Sequence, residues 1–136
     1  MKKIFTSLCI LFLGATLNAQ TFTFGNLAVF VADASANNTT ARILELSPTV
    51  PGPAINTFII DGTTMPNSLR FSGSATSTGY LTLSDDKTLL SFTGGNTITT
   101  GVNVNTILLR GVGSFNNIGT FTLSTTYTGS SGQQNG

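Results

Sequence analysis

The sequence predicts an all-β chain of antiparallel sheets behind an N-terminal leader. Three observations predict it. Apolar, β-branched runs are short and separated by Gly, Asn, Asp and Pro. Thr, Ser, Asn and Gly supply most polar positions, while Lys and Glu are scarce. No segment after Ala19 sustains a 3.6-residue apolar period. Thr and the β-branched aliphatics suit strands, and Gly and Asn suit the turns between them.

The leader comes first along the chain. Lys2 and Lys3 form a positive start, an apolar run follows from Ile4 to Ala15, and Leu17-Asn18-Ala19 ends on a small residue. That order is the secretory pattern, with cleavage before Gln20. The run is too short for a membrane span, which needs about 20 apolar residues. Cys9, the only cysteine in the sequence, lies inside the leader. The exported chain is therefore expected to have no disulfide and to rely on its core. The expected organisation is a signal peptide over 1–19, a β-sheet domain over 20–128, and a Gly/Ser/Gln tail over 129–136. The expected location is extracellular or on the cell surface of a bacterium.

Removal of 19 of 136 residues leaves 117, enough to bury roughly two-thirds of the unfolded surface. The remaining charges are Asp33, Glu45, Asp61, Asp85 and Asp86 against Arg42, Arg70, Lys87 and Arg110, a net of −1. Without a basic cluster the chain is not expected to bind nucleic acid.

Leu27 to Ala32 is apolar on both faces, which suits a strand buried between two layers. Arg42–Leu46 is the second strand. Pro48, Pro51 and Pro53 make the next stretch a loop, because proline cannot donate to a central ladder. Ile55–Ile60 is the third strand, closed by Asp61-Gly62. Gly79–Ser84 and Thr88–Thr93 face each other across Asp85-Asp86-Lys87 as a hairpin. Asn105–Arg110 and Ile118–Ser124 follow, joined around Gly113–Asn117. In the last strand Phe121, Leu123 and Tyr127 alternate with Thr120, Thr122, Ser124 and Thr126, giving one apolar and one hydroxyl-bearing face.

A short internal repeat is readable. Arg42-Ile43-Leu44 answers Thr106-Ile107-Leu108, and Ile55-Asn-Thr-Phe58 answers Ile118-Gly-Thr-Phe121, at nearly equal offsets. The period is long enough for a propeller blade or another stacked four-stranded unit.

The segment from Gly25 to Phe30, then Arg42–Leu46, a Pro/Gly loop, Ile55–Asp61 and Ser72-Gly-Ser-Ala-Thr-Ser-Thr-Gly-Tyr-Leu-Thr-Leu-Ser-Asp-Asp-Lys87 resembles the start of large secreted bacterial β-propeller-like proteins. In that family a Gly-x-Ala-Thr-Ser-x-Gly-x-Leu-Thr-x-Ser-x-Asp-Gly segment opens the first blade, and the strands before it close the ring from the last. Lys87 stands where the family has Gly. The resemblance implies one complete blade plus closing strands of another, hence a chain that is part of a larger protein. The family has no assigned activity.

Chemistry narrows the candidate sites. The sequence has no histidine, which removes Ser-His-Asp and Cys-His arrangements and the usual zinc sites. Asp85-Asp86 is the sole adjacent carboxylate pair, and neighbouring turn residues point apart, so it reads as a solvated hairpin tip. Asp33-x-Ser35-x-Asn37-x-Thr39 spaces oxygens as a calcium loop does. Asn38 and Leu44 occupy the positions where that loop needs Gly and Glu, with Glu45 one place off, so an Asx-rich loop is expected. Gly111-x-Gly113 lies between strands, not before a helix, and is not a phosphate loop. Tyr80 and Tyr127 are expected to pack inside, with Phe115 at a loop tip. No catalytic, cofactor-binding or metal-binding residue is assigned, and no cofactor is expected.

The expected function is a secreted, non-catalytic interaction or scaffold domain whose partner is an extracellular protein or glycan. The competing expectation is the first portion of a propeller enzyme with its active site in later blades. Few charges on open strands also suggest self-association through sheet edges.

Overall fold

The computed structural model describes residues 20–130. The expected signal peptide and tail residues 131–136 lie outside them. Seven strands form two antiparallel meanders. β1 (Leu27–Ala32), β2 (Ala41–Leu46) and β3 (Asn56–Ile60) make a three-stranded sheet in that order. β4 (Thr82–Leu83), β5 (Leu89–Gly95), β6 (Leu109–Asn116) and β7 (Phe121–Thr128) make a four-stranded one. Among the described residues no helix is long and apolar enough to cross a membrane.

Directly opposed residues in an antiparallel pair share a face, so register fixes what is buried. In the first sheet Ala28 faces Glu45, Phe30 faces Ile43 and Ile43 faces Phe58. These point inward. In the second, Leu90 faces Phe115, which faces Phe121, and Phe92 faces Gly113, which faces Leu123. The two inner faces meet in one core containing Ile43, Phe58, Ile60, Leu69, Phe71, Phe92 and Phe115. Phe58 and Phe115 join the sheets directly, with ring centroids 5.7 Å apart. Each such aromatic contributes about 2–3 kcal/mol through area removed from water.

A strap over Leu69–Phe71 stitches the sheets together. Arg70 exchanges two backbone hydrogen bonds of 2.9 Å with Gly95 at the end of β5. Phe71 exchanges two, of 2.8 and 2.9 Å, with Thr39 just before β2. Leu69 is fully buried against β6. A Cβ on Gly111 or Gly113 would lie 2.7 or 2.8 Å from the Leu69 methyls, so both positions must lack a side chain for the strap to seat.

The structure corrects four expectations. Asn105–Arg110 is not one strand: Val104–Thr106 forms a 3₁₀ turn, because the Asn103 side chain accepts from the Asn105 N–H and its carbonyl accepts from the Thr106 hydroxyl. Such local bonds compete with the ladder. The stretch Gly113–Asn117, expected as a connection, falls almost wholly within β6. The connection lies at Asn117–Thr120, where the Asn116 carboxamide oxygen accepts from the N–H groups of Ile118 and Thr120. β4 is reduced to Thr82–Leu83, since Gly79 has φ +88 and its missing Cβ makes room for the Phe30 ring. The two copies of the sequence repeat consequently differ in structure: Arg42–Leu44 lies in β2, whereas Thr106–Leu108 precedes β6.

β1, expected to be buried between two layers, is covered on one side only. Its outer residues Leu27 and Val29 are exposed, and with Val31, Leu44, Leu46 and Ile59 they form an apolar outer face on the three-stranded sheet.

Candidate functional site

An open groove of about 580 Å³ lies between the segment 22–28, the β4–β5 hairpin and the β6–β7 turn. Its floor is apolar. Phe22 donates its N–H to the Asn117 carbonyl at 3.1 Å and stacks on Phe58, ring centroids 3.9 Å apart. That fixes the N-terminal segment beside Phe115 and Leu90. Asn26 donates its N–H to the Thr23 carbonyl at 3.2 Å around Gly25, φ +91, so the chain doubles back before entering β1. Phe24, Leu27 and Leu83 stand exposed along the groove.

Glu45 lies under this groove, one strand-step beyond Ile43 on the inner face of β2. Its side chain is 1% exposed. Oε1 accepts from the Thr23 N–H at 2.7 Å and from Asn26 Nδ2 at 2.6 Å, and Oε2 accepts from Asn56 Nδ2 at 2.7 Å. Burial works to raise its pKa, and the donors from Asn56, Asn26 and Thr23 together outweigh it, holding the carboxyl below its ordinary value. An ionised carboxylate whose lone pairs are already occupied clamps three chain segments; it is poorly disposed to carry protons to a substrate.

The other acids are likewise built into turns. The Asp86 Oδ1 accepts from Ser84 Oγ, Thr88 N–H and Thr88 Oγ1, which lowers its pKa, and the pair Asp85-Asp86 sits solvated at the hairpin tip. Asp61 Oδ1 accepts from the N–H groups of Thr63 and Thr64 and from the Thr63 hydroxyl, with the same effect. Lys87 closes the hairpin with φ +59.

No family model matches the chain, and no curated protein or solved structure matches it.

The oxygens of the Asp33–Thr39 loop disperse to separate partners. Asp33 pairs with Arg42 at 3.4 Å and accepts from the Thr40 hydroxyl. Asn37 accepts from Ser74 Oγ at 2.6 Å. Asn38 accepts from Arg70 Nε and donates to the carbonyls of Thr99 and Val102. Thr39 is buried against the strap. The loop ties β2 to the strap and to the segment before β6. Gly111 and Gly113 lie within β6, under the Leu69 side chain.

The aromatic expectations are reversed. Phe115 is 2% exposed and touches the rings of Phe22, Phe58, Phe92 and Phe121. Tyr80 and Tyr127 are exposed. Tyr127 changes face because of a β-bulge: Gly113 faces Leu123 but Val112 faces Thr125, leaving Ser124 as the extra residue. Beyond the bulge parity shifts by one, so Tyr127 joins Arg110 on the outer side. Arg110 is itself buried there under the carbonyls of Val104 and Asn105, at 3.2 and 2.9 Å. Burial lowers its pKa, opposed by the Tyr127 phenol.

Proposed function

We propose that this chain is a secreted, non-catalytic β-domain acting as an extracellular interaction or scaffold module, its four-stranded meander corresponding to a propeller-like blade and its three-stranded meander to part of another. The observation that carries the reading is the use made of its acids. Glu45, Asp61 and Asp86 accept hydrogen bonds that fix the backbone, while large apolar side chains stay at the surface of both sheets. Reactive groups are committed to structure and contact surface is left over, the pattern of a domain that binds. The partner is an extracellular protein or glycan, and export follows from the leader.

The chain is expected in the medium of a producing bacterium with Gln20 as its first residue, read by mass spectrometry. Fluorescently labelled, it is expected to bind intact cells of that bacterium saturably, and to turn over none of a panel of esters, glycosides and phosphate esters. Turnover that is lost in Glu45→Gln overturns the reading, as does binding that never saturates.

A further inference from the structure

We propose that the outer face of the four-stranded sheet is a binding platform for a neutral glycan, an extended chain of uncharged sugars that stacks on Tyr80 and Tyr127. The proposal rests on the interaction-module reading and gives it a surface and a ligand class. Both tyrosines belong to this face and both are exposed, Tyr80 by 61% and Tyr127 by 45%. Tyr80 lines a shallow depression with Thr82 of β4, Ser91 and Thr93 of β5 and Val112 of β6. Register carries the same row onto β7, since Thr93 faces Val112 and Val112 faces Thr125. Tyr127 takes the next position on that face, opposite Arg110.

The polar groups of this face are uncommitted. The hydroxyls of Thr82, Ser91, Thr93 and Thr125 make no hydrogen bond among the described residues. Only Ser114, which is buried, is engaged, with Ser124 at 3.0 Å. A free hydroxyl both donates and accepts, as a sugar hydroxyl requires of its partner. Tyrosine adds an apolar ring with a polar tip, the counterpart of a sugar ring whose C–H face is edged by hydroxyls. A face made for packing looks different: the inner side of the same sheet carries Leu90, Phe92, Phe115 and Phe121.

Charge and spacing narrow the ligand. Arg110, the charged side chain within this face, is 1% exposed and held by the carbonyls of Val104 and Asn105. Asp85, Asp86 and Lys87 lie at the β4–β5 tip, past the end of the face, with two acids against one base. The platform therefore gives a uronate, sulfate or phosphate no counter-charge, and it complements an uncharged ligand. β4 and β7 lie three strand spacings apart, about 14 Å. One sugar cannot stack on both tyrosines, whereas a chain of several can. A sheet surface of shallow relief meets such a chain along its length, which suits the extended ribbon of β-1,4-linked sugars over a coiled chain.

The test titrates the purified full chain by calorimetry with cellohexaose and mannohexaose, both neutral and β-1,4-linked. Maltohexaose is the coiled neutral control and hexagalacturonate the anionic one. Cellohexaose or mannohexaose is expected to bind, and more tightly than either control. Tyr80→Ala and Tyr127→Ala are each expected to weaken that binding about tenfold through loss of a stacking ring. Tyr80→Phe, which keeps the ring, should lose far less. The double variant Thr82→Val and Thr93→Val removes two hydroxyls at nearly constant shape and should also weaken binding. All four side chains are at least partly exposed, so the urea midpoint of each variant should stay close to wild type. Absence of binding to both β-1,4-linked hexaoses, equal or tighter binding of a control, or full affinity in Tyr80→Ala overturns the proposal. If saturable cell binding persists while neither hexaose binds, the platform falls and the module reading stands. Hydrolysis of a bound hexaose by the chain would remove the module reading and leave the platform.

Discussion

Replacing Phe115 with alanine is expected to cost about 4 kcal/mol, within the span of buried Phe→Ala truncations, and so a large share of the stability of a domain this size. Phe115 lies at the crossing of the two sheets. Its ring contacts Phe58 across the sheet interface and Phe92 and Phe121 within its own sheet, at centroid distances of 5.7, 5.8 and 5.6 Å. It also sits behind the groove, 6.4 Å from Phe22. Truncation thus opens a void touching both layers, and neither sheet can collapse into it without breaking register. Urea unfolding of Phe115→Ala should show a midpoint far below wild type with the slope retained. A loss under about 1 kcal/mol would contradict a hub role for this ring. Phe24→Ala serves as the control: it removes an exposed phenyl and is expected to move the midpoint little.

Glu45→Ala is expected to destabilise by about 3 kcal/mol, because it strands the Thr23 N–H and the two carboxamides of Asn26 and Asn56 in a buried site. Glu45→Gln keeps the shape but turns an N–H group toward donors, so it should recover only part of the loss. The pH dependence has a definite sign. The folded carboxyl titrates below its ordinary value of 4.5, so its stabilisation is fully present above the unfolded pKa and is lost as pH falls through the lower, folded one. Wild-type stability should decline as pH falls below the ordinary carboxyl range, and Glu45→Gln should decline less. Parallel pH profiles for the two chains would refute the assignment.

Composition and alternation made the all-β class and the first three strands legible, since β1 to β3 have clean boundaries at Asn-, Asp- and Pro-rich turns. The second half was harder for identifiable reasons. Gly111 and Gly113 read as turn residues because glycine usually marks a turn; here it marks the seat of Leu69, which is remote along the chain. Asn103 gave no local sign that it would wind the following residues into a 3₁₀ turn. The face of Tyr127 could not be read by alternation because the bulge at Ser124 resets the count, and a bulge needs the partner strand to be seen. Glu45 reads only as a charge and as a near miss for a calcium-loop ligand. It shares strand parity with Ala41 and Ile43, but its donors, the Thr23 N–H and the carboxamides of Asn26 and Asn56, come from outside its own strand. The groove was not legible, as its walls come from three separated stretches.

The Leu69–Phe71 strap also bears on how the molecule opens. Each meander alone pairs only sequence neighbours, and two such units would ordinarily open independently. The strap pairs Phe71 with Thr39, well back along the chain, and Arg70 with Gly95, well ahead of it. Neither sheet can lift away without exposing those amides and freeing the buried Leu69 and Phe71. The described domain is therefore one cooperative unit, with deuterium entering the Arg70 and Phe71 amides as slowly as those at the centres of β2 and β5. Faster exchange at the strap would divide the molecule into two units that unfold separately.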